Sequence, residues 1–116
     1  MTTLASAPLA SLLDRLFEEA DATSPMSVPS IAAVPRDEHE RLMRSKTDYA
    51  EFYGALKDFP LAVSRATGRL LYMLARGCGA RNVVEFGTSF GISTIHLAAA
   101  LRENGGGRLI TSEFEP

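Results

Sequence analysis

A glycine turn set between an apolar run and a helical run constrains this sequence more than any other feature. Asn82–Phe86 is a short run with two β-branched valines, bounded by glycines, which is typical of a buried strand. Gly87–Gly91 forms the turn, and Ile92–Asn104 favours a helix that is apolar on more than one side. Arg108–Ser112 then predicts a second strand. A strand, a helix and a strand in this order indicate the start of a parallel α/β sheet.

The residues before this unit favour helices. Pro8 suits the first turn of a helix whose apolar stripe has helical spacing. That stripe consists of Leu9, Leu12, Leu13, Leu16, Phe17 and Ala20. The stretch from Asp21 to Pro35 is rich in proline, serine and threonine, and it predicts a loop.

Two further helices are predicted before the glycine turn. One begins near Asp37 and ends at Pro60, because proline disfavours a helical conformation at the residue before it. Its expected inner face is Leu42, Tyr49, Phe52, Tyr53 and Leu56. The other helix ends at Arg76, before Gly77 and Gly79, with Leu70, Leu71 and Leu74 directed inward.

Composition limits which binding partners and which cellular compartment can be expected for this chain. The formal net charge is -2 and the twelve lysines and arginines are scattered, so we expect neither nucleic acid nor membrane as a partner. Cys78 is the single cysteine, which excludes a disulfide within the chain and fits a reducing compartment. The longest apolar run, Leu70–Ala75, is far shorter than the roughly 20 residues that span a bilayer. Together with acidic residues near the N-terminus, these features predict a cytoplasmic protein.

The turn lies where parallel sheets bind ligands, at the C-terminal end of a strand and the start of a helix. The dinucleotide spacing G-x-G-x-x-G fails here, because Ser89 and Ile92 occupy its second and third glycine positions when it begins at Gly87. Gly91 instead stands at the start of the predicted helix, where glycine permits backbone angles that other residues rarely adopt. Glu85 would repel a phosphate but suits a ligand with an ammonium group, and burial predicts a functional or paired role for it.

A second carboxylate follows the second strand. Glu113 comes directly after the apolar part of that strand and can accept hydrogen bonds from the two hydroxyls of a ribose, with Glu115 as the alternative. The glycine turn does not suit a phosphate group, and an acidic residue lies on each side of it. This combination indicates that the ligand is a nucleoside that carries an amino acid group. His96 lies too far along its helix to face this edge, and Gly105–Gly107 is predicted to be a flexible loop without a phosphate site.

The segment Glu85–Thr94, EFGTSFGIST, resembles the first motif of class I S-adenosylmethionine-dependent methyltransferases. The likeness is greatest to small O-methyltransferases of the catechol and caffeoyl-CoA type. It implies contacts to the methionine part of S-adenosylmethionine from the motif, to ribose from the second strand, and to adenine from the residue after it. The residues implied for the methionine part are Glu85, Gly87, Thr88, Ser89, Gly91 and Ser93. Glu113 is implied for the ribose and Phe114 for the adenine. The likeness upstream of the motif adds Val63 to the cofactor-binding residues.

The resemblance also implies an organisation. We expect an N-terminal helical segment over residues 1–60, and the first strand–helix–strand unit of a Rossmann-like α/β methyltransferase sheet over residues 61–116. The family's metal ligands and the basic residue near its acceptor would lie beyond Pro116. No catalytic or metal-binding residue is therefore predicted here, and we expect the chain as given to be incomplete and inactive alone, although a longer form could use a divalent metal.

The expected function is S-adenosylmethionine-dependent transfer of a methyl group to the hydroxyl of a small-molecule acceptor, with a homodimer as a possible assembly. Two other interpretations stay open. One is a fragment of an NAD-type oxidoreductase with a degenerate glycine turn. The other is a non-catalytic interaction module whose half-sheet pairs with another chain through its open strand edge.

Overall fold

Seven helices and two strands make up the part of the chain that the computed structural model describes, which is residues 2–23, 29–54 and 62–113. The helices are α1 (Thr2–Ala5), α2 (Leu9–Ala22), α3 (Pro29–Ala32), α4 (Arg36–Arg44), α5 (Tyr49–Gly54), α6 (Arg65–Gly77) and α7 (Ile92–Glu103). The strands are β1 (Asn82–Phe86) and β2 (Arg108–Ser112). Helices followed by a strand–helix–strand unit confirm the predicted α/β class. No helix of the described residues is long and apolar enough to cross a membrane.

The two strands form a parallel pair connected by α7, as predicted. Their register runs from Asn82 beside Arg108 to Phe86 beside Ser112. Side chains alternate along both strands, so that one face of the sheet lies under α7 and is half-buried. The opposite face is open, with three large apolar side chains between 56% and 87% exposed: Val84, Phe86 and Ile110.

Helix α7 is the centre of the core. It packs against the sheet on one side and against α6, α2 and α1 on the other. This double contact explains why its sequence is apolar around most of its circumference. Its buried residues are Ile92, His96, Ala99, Ala100 and Leu101. Three of them, Ile92, Ala99 and Ala100, form one core cluster with Leu4, Leu13, Phe17, Tyr72 and Ala75.

The predicted inner face of α6 is wrong at Leu70 and Leu74, which are 52% and 60% exposed. The residues that α6 buries are Gly68, Tyr72 and Ala75. Small residues let α6 approach α7 closely, since a Cβ atom on Gly68 would lie 2.8 Å from the His96 ring. The Tyr72 hydroxyl donates to the Glu103 carboxylate at 2.6 Å. That hydrogen bond, with burial, raises the pKa of Tyr72.

The single helix predicted from Asp37 onward is also wrong, because the structure has two shorter helices, α4 and α5. The Ser45 hydroxyl accepts from the backbone N–H groups of Thr47 and Asp48, at 3.2 and 2.9 Å, and this local turn interrupts the helix. The predicted loop from Asp21 to Pro35 contains the end of α2 and all of α3. Leu56 and the predicted end at Pro60 lie outside the described residues, and the division at residue 60 stays a prediction.

Candidate functional site

The turn between β1 and α7 depends on three left-handed backbone positions. Gly87 and Gly91 have φ angles of 88° and 86°, and Ser89 has a φ of 48°. A left-handed conformation is uncommon for a residue other than glycine, and such residues cluster at ligand sites. Among the described residues, a Cβ atom on Gly87 or on Gly91 would meet nothing within 4 Å, which leaves their backbone open to a ligand on that side.

Backbone hydrogen bonds fix the turn to the end of β2. The N–H groups of Gly87 and Thr88 both donate to the carbonyl of Ser112, at 2.8 and 3.0 Å. Gly91 closes the turn by donating to the carbonyl of Thr88 at 2.9 Å. The hydroxyls of Thr88 and Thr111 are 2.5 Å apart. The turn is therefore held by the neighbouring strand as well as by its own residues.

Glu85 is half-buried beneath the first turn of α7, and its carboxylate accepts from three hydroxyl groups. Ser93 donates to Oε2 at 2.7 Å, Thr111 donates to Oε1 at 2.9 Å, and Thr94 also donates to Oε1. These bonds tie β1, β2 and α7 together at the edge where the turn lies. The pairing of this carboxylate agrees with the cost of burying a charge without partners.

Ser93 was predicted as a cofactor contact, whereas its bond to Glu85 and the roles of Thr94 and Thr111 were not predicted. A signal for Thr111 exists in the sheet, since Thr111 is the register partner of Glu85 in the neighbouring strand. That signal needs the strand register, which is uncertain from sequence. Thr94 follows Ser93 at the start of α7, and only the orientation of the helix shows that both hydroxyls reach the same carboxylate.

Glu113 follows β2 and comes back to the glycine turn. Its carboxylate accepts from the backbone N–H of Ser89, 24 residues earlier in the sequence. Glu113 is exposed at this edge of the sheet. The structure therefore brings together the strand-end carboxylate and the turn that were predicted to act together.

The other predicted residues are distributed around this centre. A small cleft of about 20 Å³ opens beside the turn, and its lining is Ala62, Gly87, Thr88, Ser89, Phe90, Ile92 and Ser93. Val63, a predicted cofactor contact, is half-buried and packs against the core. Its neighbour Ala62 lines the cleft. Sequence reasoning missed Ala62 and Phe90, although Phe90 lies within the motif and is 48% exposed. Phe114 and Glu115 lie outside the described residues.

The charges of the site favour a cation or a hydroxyl-rich ligand. Neither lysine nor arginine is among the described residues that line the cleft. The nearby ionisable groups are two carboxylates, Glu85 and Glu113, which match an ammonium group and ribose hydroxyls. Within the described residues, no group of three or more His, Cys, Asp or Glu side chains is close enough to hold a metal ion.

Comparison with known proteins decides the family. The model of a family described as O-methyltransferase matches residues 36–116, which is well over half of the chain and includes the whole candidate site. The chain belongs to the O-methyltransferase family. The resemblance inferred from the motif is thereby confirmed, as is the portion of the fold that it covers.

Curated relatives of this O-methyltransferase chain include a catechol O-methyltransferase of Niastella koreensis, 48% identical over 56 residues. A putative O-methyltransferase of Mycolicibacterium vanbaalenii is 49% identical over 55 residues, and another of Mycolicibacterium smegmatis is 46% identical over 55 residues. These matches cover 47–48% of this chain and only 24–25% of each relative. The matched part thus spans about a quarter of the length of the relatives.

Proposed function

We propose that this chain contributes the cofactor-binding half of an S-adenosylmethionine-dependent O-methyltransferase acting on the hydroxyl of a small molecule. One observation carries the proposal, namely the meeting of Glu113 with the backbone of Ser89 in an open glycine turn. Residues so far apart in sequence that meet at a sheet edge form the arrangement that binds a nucleoside in parallel α/β folds.

The charges of these residues match those of the cofactor. The carboxylate of Glu113 would bind the ribose hydroxyls, and that of Glu85, with the Ser93 hydroxyl bonded to it, would hold the ammonium group of the methionine part. Gly87 and Gly91 leave room for close approach to the backbone. When bound, the cofactor supplies an electrophilic methyl group on its sulfonium. The residues of this chain orient it, and fixed orientation lowers the barrier of a two-reactant transfer.

Acceptor binding is proposed to need residues that the described part of the chain does not supply. The matched segment corresponds to about a quarter of the relatives, so the 116-residue chain alone is expected to transfer no methyl group. We propose that a longer form binds the acceptor, any divalent metal that it requires, and a second copy of itself. Turnover by the purified chain, free of contaminating enzyme, would contradict the proposed inactivity.

The cofactor assignment is tested by calorimetry with S-adenosylhomocysteine on a form that has the length of the relatives. Glu113→Ala is expected to weaken binding by about 10- to 100-fold, because a charge-assisted hydrogen bond to the ribose is lost. Glu40→Ala is a matched control, since Glu40 is an exposed glutamate on α4, far along the chain from the turn. Unchanged affinity in Glu113→Ala would refute the assignment, and tight binding of NAD in its place would support the oxidoreductase alternative.

A further inference from the structure

A second cleft lies between the N-terminal helices and the side of α7 that faces away from the sheet. Its volume is about 190 Å³, and residues of α1, α2, α6 and α7 line it. The apolar part of the lining includes Leu4, Leu13 and Phe17, and the polar part is Asp14, Arg65, Arg69 and His96. Neither the glycine turn nor either carboxylate of the candidate cofactor site contributes to it.

His96 is the buried polar group of this cleft, with only 4% of its surface exposed. Its Nδ1 donates to the backbone carbonyl of Ile92 at 2.8 Å. Its ring also packs against the Phe17 ring in an edge-type contact, with the centroids 6.0 Å apart. These two contacts fix the orientation of the imidazole. They also leave Nε2 as the nitrogen that carries the lone pair in the neutral ring.

Nε2 has no hydrogen-bond partner among the described residues. Every side-chain nitrogen or oxygen of the described residues that is completely enclosed does have one. Nε2 is therefore not completely enclosed. It lies beside Gly68 of α6, where a Cβ atom would be 2.9 Å away, and the His96 side chain also lines the cleft. A buried acceptor without a partner favours a ligand that brings a hydroxyl or an N–H group.

The arginines give the cleft an unbalanced positive charge. Arg65 is already paired, since it donates to the Asp14 carboxylate at 2.9 Å and lies 4.5 Å from the centre of the Phe17 ring. Arg69 is one helical turn further along the same face of α6 and has no partner among the described residues. The lining thus has two guanidinium groups and one carboxylate. Its excess of one positive charge would be neutralised by a ligand with one negative charge.

We propose that this cleft binds a small aromatic carboxylate that also carries a hydroxyl group, such as 4-hydroxybenzoate. The carboxylate would pair with Arg69, the ring would pack among Leu4, Leu13 and Phe17, and the hydroxyl would donate to Nε2 of His96. The volume suits one substituted ring, since an apolar cavity of about 150 Å³ is sufficient for benzene. The proposal concerns a separate site and holds whether or not the turn binds S-adenosylmethionine.

The test is a titration of the full 116-residue chain with 4-hydroxybenzoate, followed by the chemical shifts of backbone amides and of the His96 ring nitrogens. Saturable shifts are expected along the cleft together with a shift of the Nε2 resonance. Benzoate, which lacks the hydroxyl, and phenol, which lacks the carboxylate, should each bind about fivefold to tenfold more weakly.

Variants assign the two polar contacts. Arg69→Gln is expected to weaken 4-hydroxybenzoate binding by about tenfold and to leave phenol binding unchanged. Arg102→Gln is the matched control, because Arg102 is an exposed arginine of α7 that does not line the cleft, and it should change the affinity by less than about twofold. Both positions are exposed, so both variants should fold.

Three results would overturn the proposal. The first is the absence of saturable binding by any of the three probes. The second is an equal loss of affinity in Arg69→Gln and Arg102→Gln, which would indicate a general charge effect. The third is equal binding of benzoate and 4-hydroxybenzoate with no change at Nε2, which would show that His96 does not contact the ligand.

Discussion

Replacing Gly107 with alanine is expected to destabilise the chain by about 3 kcal/mol, since the added methyl group has nowhere to go. A Cβ atom there would overlap the carbonyl oxygen of Arg81, and it would lie 3.1 Å from the carbonyl carbon of Arg81 and 3.1 Å from a methyl group of Leu101. That carbonyl oxygen accepts from the N–H of Arg108 at 2.7 Å, immediately before the paired strands begin. Backbone atoms cannot rotate away as a side chain can, so the pairing of β1 and β2 must shift.

Urea denaturation followed by circular dichroism measures this loss as a lower midpoint with an unchanged slope. Gly77→Ala is the matched control, because a Cβ atom on Gly77, the last residue of α6, meets none of the described residues within 4 Å. This control should be unchanged or up to about 0.5 kcal/mol more stable. If Gly107→Ala unfolded at the same urea concentration as the parent chain, the close contact with Arg81 would not exist.

The same glycine loop shows what sequence reasoning could not supply. Glycines around the strands correctly predicted both strand ranges, because they mark where extended structure stops. The loop itself was predicted to be flexible. The structure instead holds it through Arg81, whose guanidinium donates to the carbonyls of Asn104 and Gly106, each at 2.8 Å. Contacts over more than 20 residues leave no local pattern in a sequence.

The choice of helix face failed for a related physical reason. The sequence of α6 offers a stripe of large apolar residues and a stripe of smaller ones, and hydrophobicity alone favours the large stripe. The structure buries Gly68 against the bulky imidazole of His96 on α7, and Ala75 is buried on the same face of α6. Leu70 and Leu74 lie on the exposed side. Helical periodicity thus predicted the helix, but the shape of its neighbour selected the face.

The candidate site was more predictable than the core that supports it. Gly87, Gly91, Glu85 and Glu113 have chemical properties that restrict their use, so their order along the chain carries information. Their neighbours Thr94 and Thr111 are ordinary residues in a helix and a strand. Their role comes only from the orientation of α7 and the register of β2. The sequence therefore indicated the residues that lie together at this sheet edge more readily than the hydroxyl groups that hold Glu85 in place.

Glu85→Ala is expected to have the largest effect on cofactor binding. Removing the carboxylate leaves the hydroxyls of Ser93, Thr94 and Thr111 without their common acceptor, which should cost about 2 kcal/mol of stability. It also removes the negative charge proposed to hold the ammonium group, so the affinity for S-adenosylhomocysteine should fall by about 100-fold. Calorimetry on a form with the length of the relatives measures the affinity, and urea denaturation measures the stability.

Glu85→Gln separates the two roles of this residue. The amide oxygen still accepts a hydroxyl and the amide nitrogen can donate to another, so most of the stability should return. The charge does not return, so the affinity should stay at least about tenfold below that of the parent protein. Parental affinity in Glu85→Gln would mean that Glu85 acts only by holding β2 and α7 in place. A loss of affinity with preserved stability would instead assign the charge itself to the cofactor.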